Sequence, residues 1–396
     1  MTSMSKEIYA LSAVRSAVGT FGGALATQTP EDLGSTVARE AFVRAGIDPS
    51  LATYAVVGNV IPCNKNFPYV PRLVTVRAGM AMASTVMACN RLCGSAMQAI
   101  INVAQNIQLG EAAVGLAGGV EVMSAGGYLS PAMRSGARMG DTSMADMMVA
   151  ALTDPFGAGH MGMTAENQAA KWSISREEQD AFSLESQQRA ARAIAEGRFA
   201  SQIVPVVLQT RKGELVFDTD EHPRATSMEA LAKMRPAFRK DGGTVTAGNA
   251  SGINDGAAFL VLADGAAMDK ANKTPLARLV AYAVAGVEAS VMGDGPIPAT
   301  QQALKRAGLS LEQIDVIEAN EAFAAQALAV AKGLGLDPAK TNPNGGAIAL
   351  GHPVGATGGV IVTKLLHEMQ RVKARYGLAT MCIGGGQGIT TIWERC

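Results

Sequence analysis

Several features that commonly announce a function are missing from this sequence. Lys plus Arg (34) equals Asp plus Glu (34), and no block of like charge stands out. Nothing therefore advertises nucleic acid or an anionic membrane as a partner. Aromatic residues make up only 5% of the chain and charged residues 17%. No apolar run is long enough to suggest a transmembrane helix, and the start, "MTSMSKEIYALSAVRSAVGTFGG", carries no signal-peptide cleavage pattern. Five cysteines, Cys63, Cys89, Cys93, Cys382 and Cys396, form an odd set without framework spacing. That argues against a disulfide scaffold and for a reduced, cytoplasmic protein. No CxxC or His/Cys pairing is present, which disfavours zinc or any other metal site. The glycine-rich runs are not followed by GK[ST], and a dinucleotide fingerprint is absent.

What the chain does have is apolar mass (48%), 44 glycines and 20 methionines in 396 residues. That length exceeds one ordinary core, so two or three packed units are expected. An internal repeat supports two of them. "LGSTVAREAFVRAGIDPSLATYAVVGNVI" (33–61) reads as helix, glycine turn and β-branched strand, and "PATQQALKRAGLSLEQIDVIEANEA" (298–322) follows the same plan. "RAGI" at 44–47 matches "RAGL" at 306–309, and strands ending in Asn59 and Asn320 follow at similar distances. Each half continues with a turn, a helix and an apolar strand. Continuous apolar strands alternating with helices predict parallel sheets covered on both faces. Between the halves the texture changes to Gly- and Met-rich turns and polar helices. The expected organisation is an N-terminal α/β half over 1–122, completed by about 248–270, an inserted lobe over 123–247, and a C-terminal α/β half over 271–396.

Four stretches carry candidate chemistry. In "NRLCGSAMQAI" (90–100), Cys93 precedes a small-residue turn and an apolar helix; the helix N-terminus favours a thiolate, although a free cysteine is most often a small buried hydrophobe. Cys89 shares the apolar setting without the turn and serves as the structural comparison. In "NPNGGAIALGHPVGATGG" (342–359), His352 sits in irregular backbone where a ring can be aimed at a ligand, or can simply bond to backbone. His367, by contrast, falls in the polar stripe of a helix and reads as solvated. In "MCIGGGQGI" (381–389), Cys382 meets three glycines, which allow close approach of a ligand and leave N–H groups free for an oxyanion. In "IEANEAFAAQA" (317–327), Asn320 and Glu321 lie at a strand-to-helix junction, equally suited to a cap or to a functional role.

Taken together, "NRLCGSAMQAI", "GNASGINDGAA", "NEAFAA", "NGGAIALGHPVGATG" and "CIGGGQG", with "HMGMTAENQA" between them, closely resemble the thiolases over essentially the whole chain. The resemblance implies a thiolase-like fold: two similar α/β halves stacked as alternating helix and sheet layers, with an inserted lobe. It implies a CoA-dependent acyltransferase that condenses two acetyl-CoA to acetoacetyl-CoA and cleaves 3-ketoacyl-CoA in reverse. Cys93 would carry the acyl group, His352 accept its proton, and Cys382 move the α-proton. Asn320 would hold a water that completes one oxyanion hole with His352, and the N–H groups of Cys93 and Gly384 would form the other. Arg224, Ala247, Ser251, Phe238 and Phe323 would line the coenzyme A channel, with Leu152 in the same substrate-binding set; His160 and Met161 would border the acyl pocket. Arg224 is also readable as an ordinary surface charge. Coenzyme A and acyl-CoA enter as substrates, no cofactor is permanently bound, and "SAGGYLSPAMRSGARMGD" (124–141) resembles the loop through which family dimers pair into homotetramers.

Departures bear on specificity. "CGSAM" replaces the family's usual "CGSGL", bringing Ala96 and Met97 beside the nucleophile. "MGDGPIP" puts Asp294 where an uncharged residue is common, and Met163 and Met292 are candidates for an adaptable acyl pocket. A broad-chain degradative thiolase is thus one alternative, and a CoA-binding protein without turnover another. A Cys/His hydrolase would need no second reactive cysteine in a glycine turn.

Overall fold

The computed structural model describes residues 6–211 and 213–396. The main sheet is built from β1 (Ile8–Ser16), β2 (Tyr54–Gly58), β3 (Thr85–Cys89), β4 (Val114–Val122), β5 (Asn254–Asp264), β6 (Ala277–Gly286), β7 (Val316–Ala319), β8 (Tyr376–Ile383) and β9 (Gln387–Arg395). Their spatial order is β7-β8-β9-β6-β1-β5-β4-β2-β3. From the central β6–β1 pair, where Tyr9 faces Arg278, the two sides repeat one another. On one side β6/β9 and β9/β8 are antiparallel and β8/β7 parallel; on the other β1/β5 and β5/β4 are antiparallel and β4/β2 parallel. The duplication read from the sequence is therefore present in the topology. The parallel sheets expected from the apolar runs are not: the sheet is mixed. A strand buried on both faces looks the same in either direction, and the 384–386 turn reverses β8 into β9, so that Cys382 faces Gly388.

The helices extend the repeat. Those that position the site are α1 (Pro30–Ala45), α2 (Ser95–Gln108), α3 (Met161–Lys171), α4 (Arg176–Ala195), α5 (Pro296–Ala307), α6 (Ala324–Leu334) and α7 (Thr357–Val372). Helices α1 and α5 each begin with proline, which needs no N–H partner there, and each ends on a left-handed glycine, Gly46 and Gly308, both at φ 66°. Helix α1 covers β1, β4 and β5 from outside, and α5 covers β6, β8 and β9. Helix α7 packs on α2 and touches strands of both halves. Its Ile361, Leu365, Leu366 and Met369 are buried, each worth about 1.5–3 kcal/mol relative to exposure. The layers thus run helix, sheet, helix pair, sheet, helix.

Such a central helix has no free polar stripe, and His367 corrects the expectation of a solvated histidine. Its Nε2 lies 2.9 Å from the Ala13 carbonyl and its Nδ1 2.9 Å from Ser201 Oγ. Residues 123–253 run between β4 and β5, carrying α3 and α4, and rejoin the sheet midway through a short strand, Ile203–Val204. Ile203 pairs with Arg15 of β1, and the buried Arg15 guanidinium forks onto Asp220 at 2.7 and 2.9 Å, tying the inserted segment to the N-terminal half.

Candidate active site

Strand β3 ends at Cys89, which is buried core as its apolar setting suggested. The chain then turns sharply. Leu92 takes φ 47°, a left-handed conformation costing a side-chain-bearing residue about 1 kcal/mol. The elbow is held by Leu92 N donating to Asn90 Oδ1 (3.1 Å) and by Ser95 Oγ, which accepts from Arg91 N (2.9 Å) and donates to the Leu92 carbonyl (2.7 Å). Cys93 is thereby presented just before α2, as the sequence predicted. The predicted thiolate is not supported. Burial dominates, and with Glu121 nearby it pushes the thiol up to about 11, although the Gly384 N–H and the cysteine's own N–H act the other way. Those two N–H groups are aimed at the sulfur.

His352 follows Gly351, whose φ of 100° suits glycine. The histidine's own N–H donates to Asn254 Oδ1 (2.9 Å), and Asn254 Nδ2 in turn donates to the Gly19 carbonyl at 3.0 Å. Nδ1 lies 2.6 Å from Thr357 Oγ1, whose single hydrogen goes to the Pro353 carbonyl at 2.8 Å. Thr357 must then accept, so Nδ1 carries the proton and Nε2 presents a lone pair. Nε2 is buried with no partner among the described residues. Burial alone lowers the imidazole to about 4, so it is neutral near pH 7.

Cys382 is fully buried near the end of β8, its thiol driven far up by burial first and then by the neighbouring Cys93. Cys93, His352 and Cys382 line one cavity of about 320 Å³. Leu152, His160, Met161, Phe238, Ala247, Ser251 and Phe323 line it too, together with Met123, Met292, Ile253 and Val354. Phe238 stacks on His160 at 4.8 Å and meets Phe323 edge-on at 6.1 Å, making an aromatic wall. The cavity wall is thus largely apolar, with no Asp, Glu, Lys or Arg among its lining residues.

Not every candidate reaches the cavity. Asn320 borders a separate slot of about 10 Å³ beside Thr357, and both atoms of its amide are buried without a partner among the described residues. Arg224 is exposed and lies against another hollow; its Nη2 donates to the carbonyl of Ala247, which does line the cavity. Met163 is not in the wall. Ala96 and Met97, offered by the sequence as neighbours of the nucleophile, are fully buried in the core.

Three residues that the motifs did not single out hold the site together. Thr357 and Asn254 fix His352 as described. Glu121, buried in β4, accepts from Asn59 Nδ2 (3.0 Å), Val60 N (3.1 Å), Ile61 N (3.1 Å) and Gly355 N (2.9 Å), joining the loop after β2 to the loop that carries His352. Burial raises its carboxyl to about 8 against the pull of these N–H donors. Its only sequence trace was a charge inside an otherwise apolar strand, "GLAGGVEV". No group of three or more His, Cys, Asp or Glu suited to a metal is found among the described residues.

Residues 8–266 match the thiolase N-terminal domain, and residues 273–395 the thiolase C-terminal domain. The chain is 53% identical to beta-ketothiolase BktB of Cupriavidus necator over 99% of this chain and 100% of that one. It is 48% identical to acetyl-CoA acetyltransferase of Thiocystis violacea, again over 99% and 100%. Among solved structures, human mitochondrial 3-ketoacyl-CoA thiolase in complex with CoA superposes with a TM-score of 0.94 at 43% identity, covering 99% of this chain and 98% of that chain. The chain belongs to the thiolase family.

Proposed function

We propose that this cavity interconverts acetyl-CoA and 3-ketoacyl-CoA through an acyl thioester on Cys93. The observation that carries the reading is the convergence of two thiols and a neutral imidazole on one apolar cavity, the Nε2 of that imidazole being left without a partner among the described residues. In condensation the Cys93 sulfur attacks the acetyl carbonyl and its proton passes to His352. The CoA sulfur leaves with the proton of Cys382. The Cys382 thiolate then takes an α-proton from a second acetyl-CoA, and the resulting carbanion attacks the thioester. Cys93 leaves and recovers its proton from His352; cleavage runs these steps backwards. Both thiols rest protonated, so charge appears only as bonds change, inside a largely apolar cavity. The N–H groups already aimed at the Cys93 sulfur, from Cys93 and Gly384, suit the oxygen of the thioester; each such donor is worth about 3–4 kcal/mol. Asn320, with a water and His352, forms the second oxyanion site in this reading, supported by its unpaired buried amide.

The apolar mouth at Phe238, Ala247, Ser251 and Leu152 suits pantetheine, with Arg224 outside it for the charged end of coenzyme A. The inserted lobe over 123–247 supplies part of that channel, between halves at 1–122 with 248–270 and at 271–396. Homotetramers form through 124–141, where Tyr128, Leu129, Met133 and Met139 are exposed. A cytoplasmic location accords with free cysteines, and no helix among the described residues is long and apolar enough to cross a membrane.

The test is CoA-dependent cleavage of acetoacetyl-, 3-ketohexanoyl- and 3-ketooctanoyl-CoA by wild type and Cys93→Ala. Cleavage of all three, abolished in the variant, establishes a broad β-ketothiolase; cleavage of the four-carbon substrate alone assigns an acetyl-CoA acetyltransferase. No cleavage, or full activity in the variant, sinks the covalent mechanism.

A further inference from the structure

Asp294 is the departure that the chemistry above does not use. It is buried, 6% exposed, at the end of the turn Ala289–Asp294. Its carboxylate accepts from Gln168 Nε2 (3.1 Å), Lys171 Nζ (2.7 Å) and Trp172 Nε1 (3.0 Å), all at the C-terminal end of α3. A fourth link runs beside them, from Asn167 Nδ2 to the Ser290 carbonyl at 2.9 Å. The contact is close enough that a Cβ on Gly293 would meet Gln168 Oε1 at 2.2 Å. Both partners of this clamp reach the cavity. The turn carries Met292 and α3 begins with Met161, and the two methionines share a wall and an apolar cluster with Cys382. A methionine side chain is unbranched and adaptable, so the position of such a wall is set by how firmly its backbone is held.

We propose that Asp294 is a positioning residue for acyl-chain selectivity, locking the Met292 turn onto α3 and so fixing the spacing of Met292 and Met161 around Cys382. The substrate it selects is the acyl chain of a 3-ketoacyl-CoA. The proposal rests on the reading of the cavity as a thiolase site. Without the carboxylate, Gln168 and Trp172 lose their acceptor, the turn loosens, and the wall yields to longer chains.

The experiment compares kcat/KM for acetoacetyl-CoA and 3-ketooctanoyl-CoA in wild type, Asp294→Ala, Asp294→Asn and Lys171→Ala, with a melting curve for each. In Asp294→Ala the long-to-short ratio should rise about tenfold, a span that one or two methylenes in a pocket command. Asp294→Asn keeps an acceptor for Trp172 and Gln168; it should shift the ratio about threefold, and it reports if the alanine variant does not fold. Lys171 is 52% exposed, so Lys171→Ala should change the ratio less than about twofold. Equal losses on both substrates would mark a merely structural role and overturn the proposal. Failure of wild type on both would overturn the thiolase reading, and the proposal with it.

Discussion

At the scale of single residues, the protonation of His352 is fixed by a hydroxyl rather than by a carboxylate. Thr357 Oγ1 spends its hydrogen on the Pro353 carbonyl and can only accept from the ring. This leaves the ring's basic lone pair on Nε2, without raising the imidazole as an anion would. Thr357→Val keeps the shape and removes that acceptor, so the two tautomers become comparable and the buried Nδ1–H loses its partner. The expected outcome is a kcat lower by about tenfold or more, within the range of general-base contributions. KM should stay near the wild-type value, and Thr357→Ser should restore most of the rate. Steady-state cleavage of acetoacetyl-CoA checks this; a serine variant as slow as the valine one would mean that the methyl packing matters and the hydroxyl does not.

At the scale of elements, the strand-to-loop exits place the chemistry, and Glu121 ties two of them together. Its four N–H donors come from both sides of the site and use both oxygens, so above about pH 8, where the carboxyl is ionised, Glu121→Gln would set an amide NH₂ against a donor such as Gly355 N. A buried donor left unpaired costs about 2 kcal/mol. The variant should unfold at lower urea by that amount and lose activity through the His352 loop; an unchanged urea midpoint would show that the loops do not depend on the clamp. These exits also mark where the sequence was readable. Cys93 and His352 sit in turns and Cys382 at a strand end just before three glycines, where small-residue composition betrays unusual backbone, and the caps at Gly46 and Gly308 were visible as matching helix ends. Strand direction was hidden, because burial on both faces erases the alternation that would have shown it. Glu121 and Asn254 were hidden for a related reason: a buried polar residue shows its role only through partners distant in the chain. Met163 was offered for the pocket on methionine's adaptability alone; residues 161 and 163 lie on nearly opposite faces of a helix, and it is Met161 that lines the cavity.

At the scale of the molecule, α7 seals the two halves, and His367 is a titratable group at that seal. It bridges to Ala13 of the N-terminal half and to Ser201 of the inserted segment. Burial is the main reason its imidazole sits below its ordinary value; Arg44 and Arg15 add to the effect, and the Ala13 carbonyl opposes it. A histidine with a lowered folded pKa leaves the unfolded chain to take up the proton first. Its contribution to stability is therefore complete above the unfolded value of about 6.5 and is lost as pH falls below that toward the folded value. His367→Gln keeps a donor for the Ala13 carbonyl and cannot titrate. Wild type should accordingly lose stability relative to His367→Gln as pH falls from 7.5 to 5.5, by up to about 1.4 kcal/mol per pH unit below 6.5. Urea unfolding of both proteins at the two pH values measures this directly. If the difference between them is independent of pH, His367 titrates as in water, and the helix layer between the halves is open to solvent rather than closed around it.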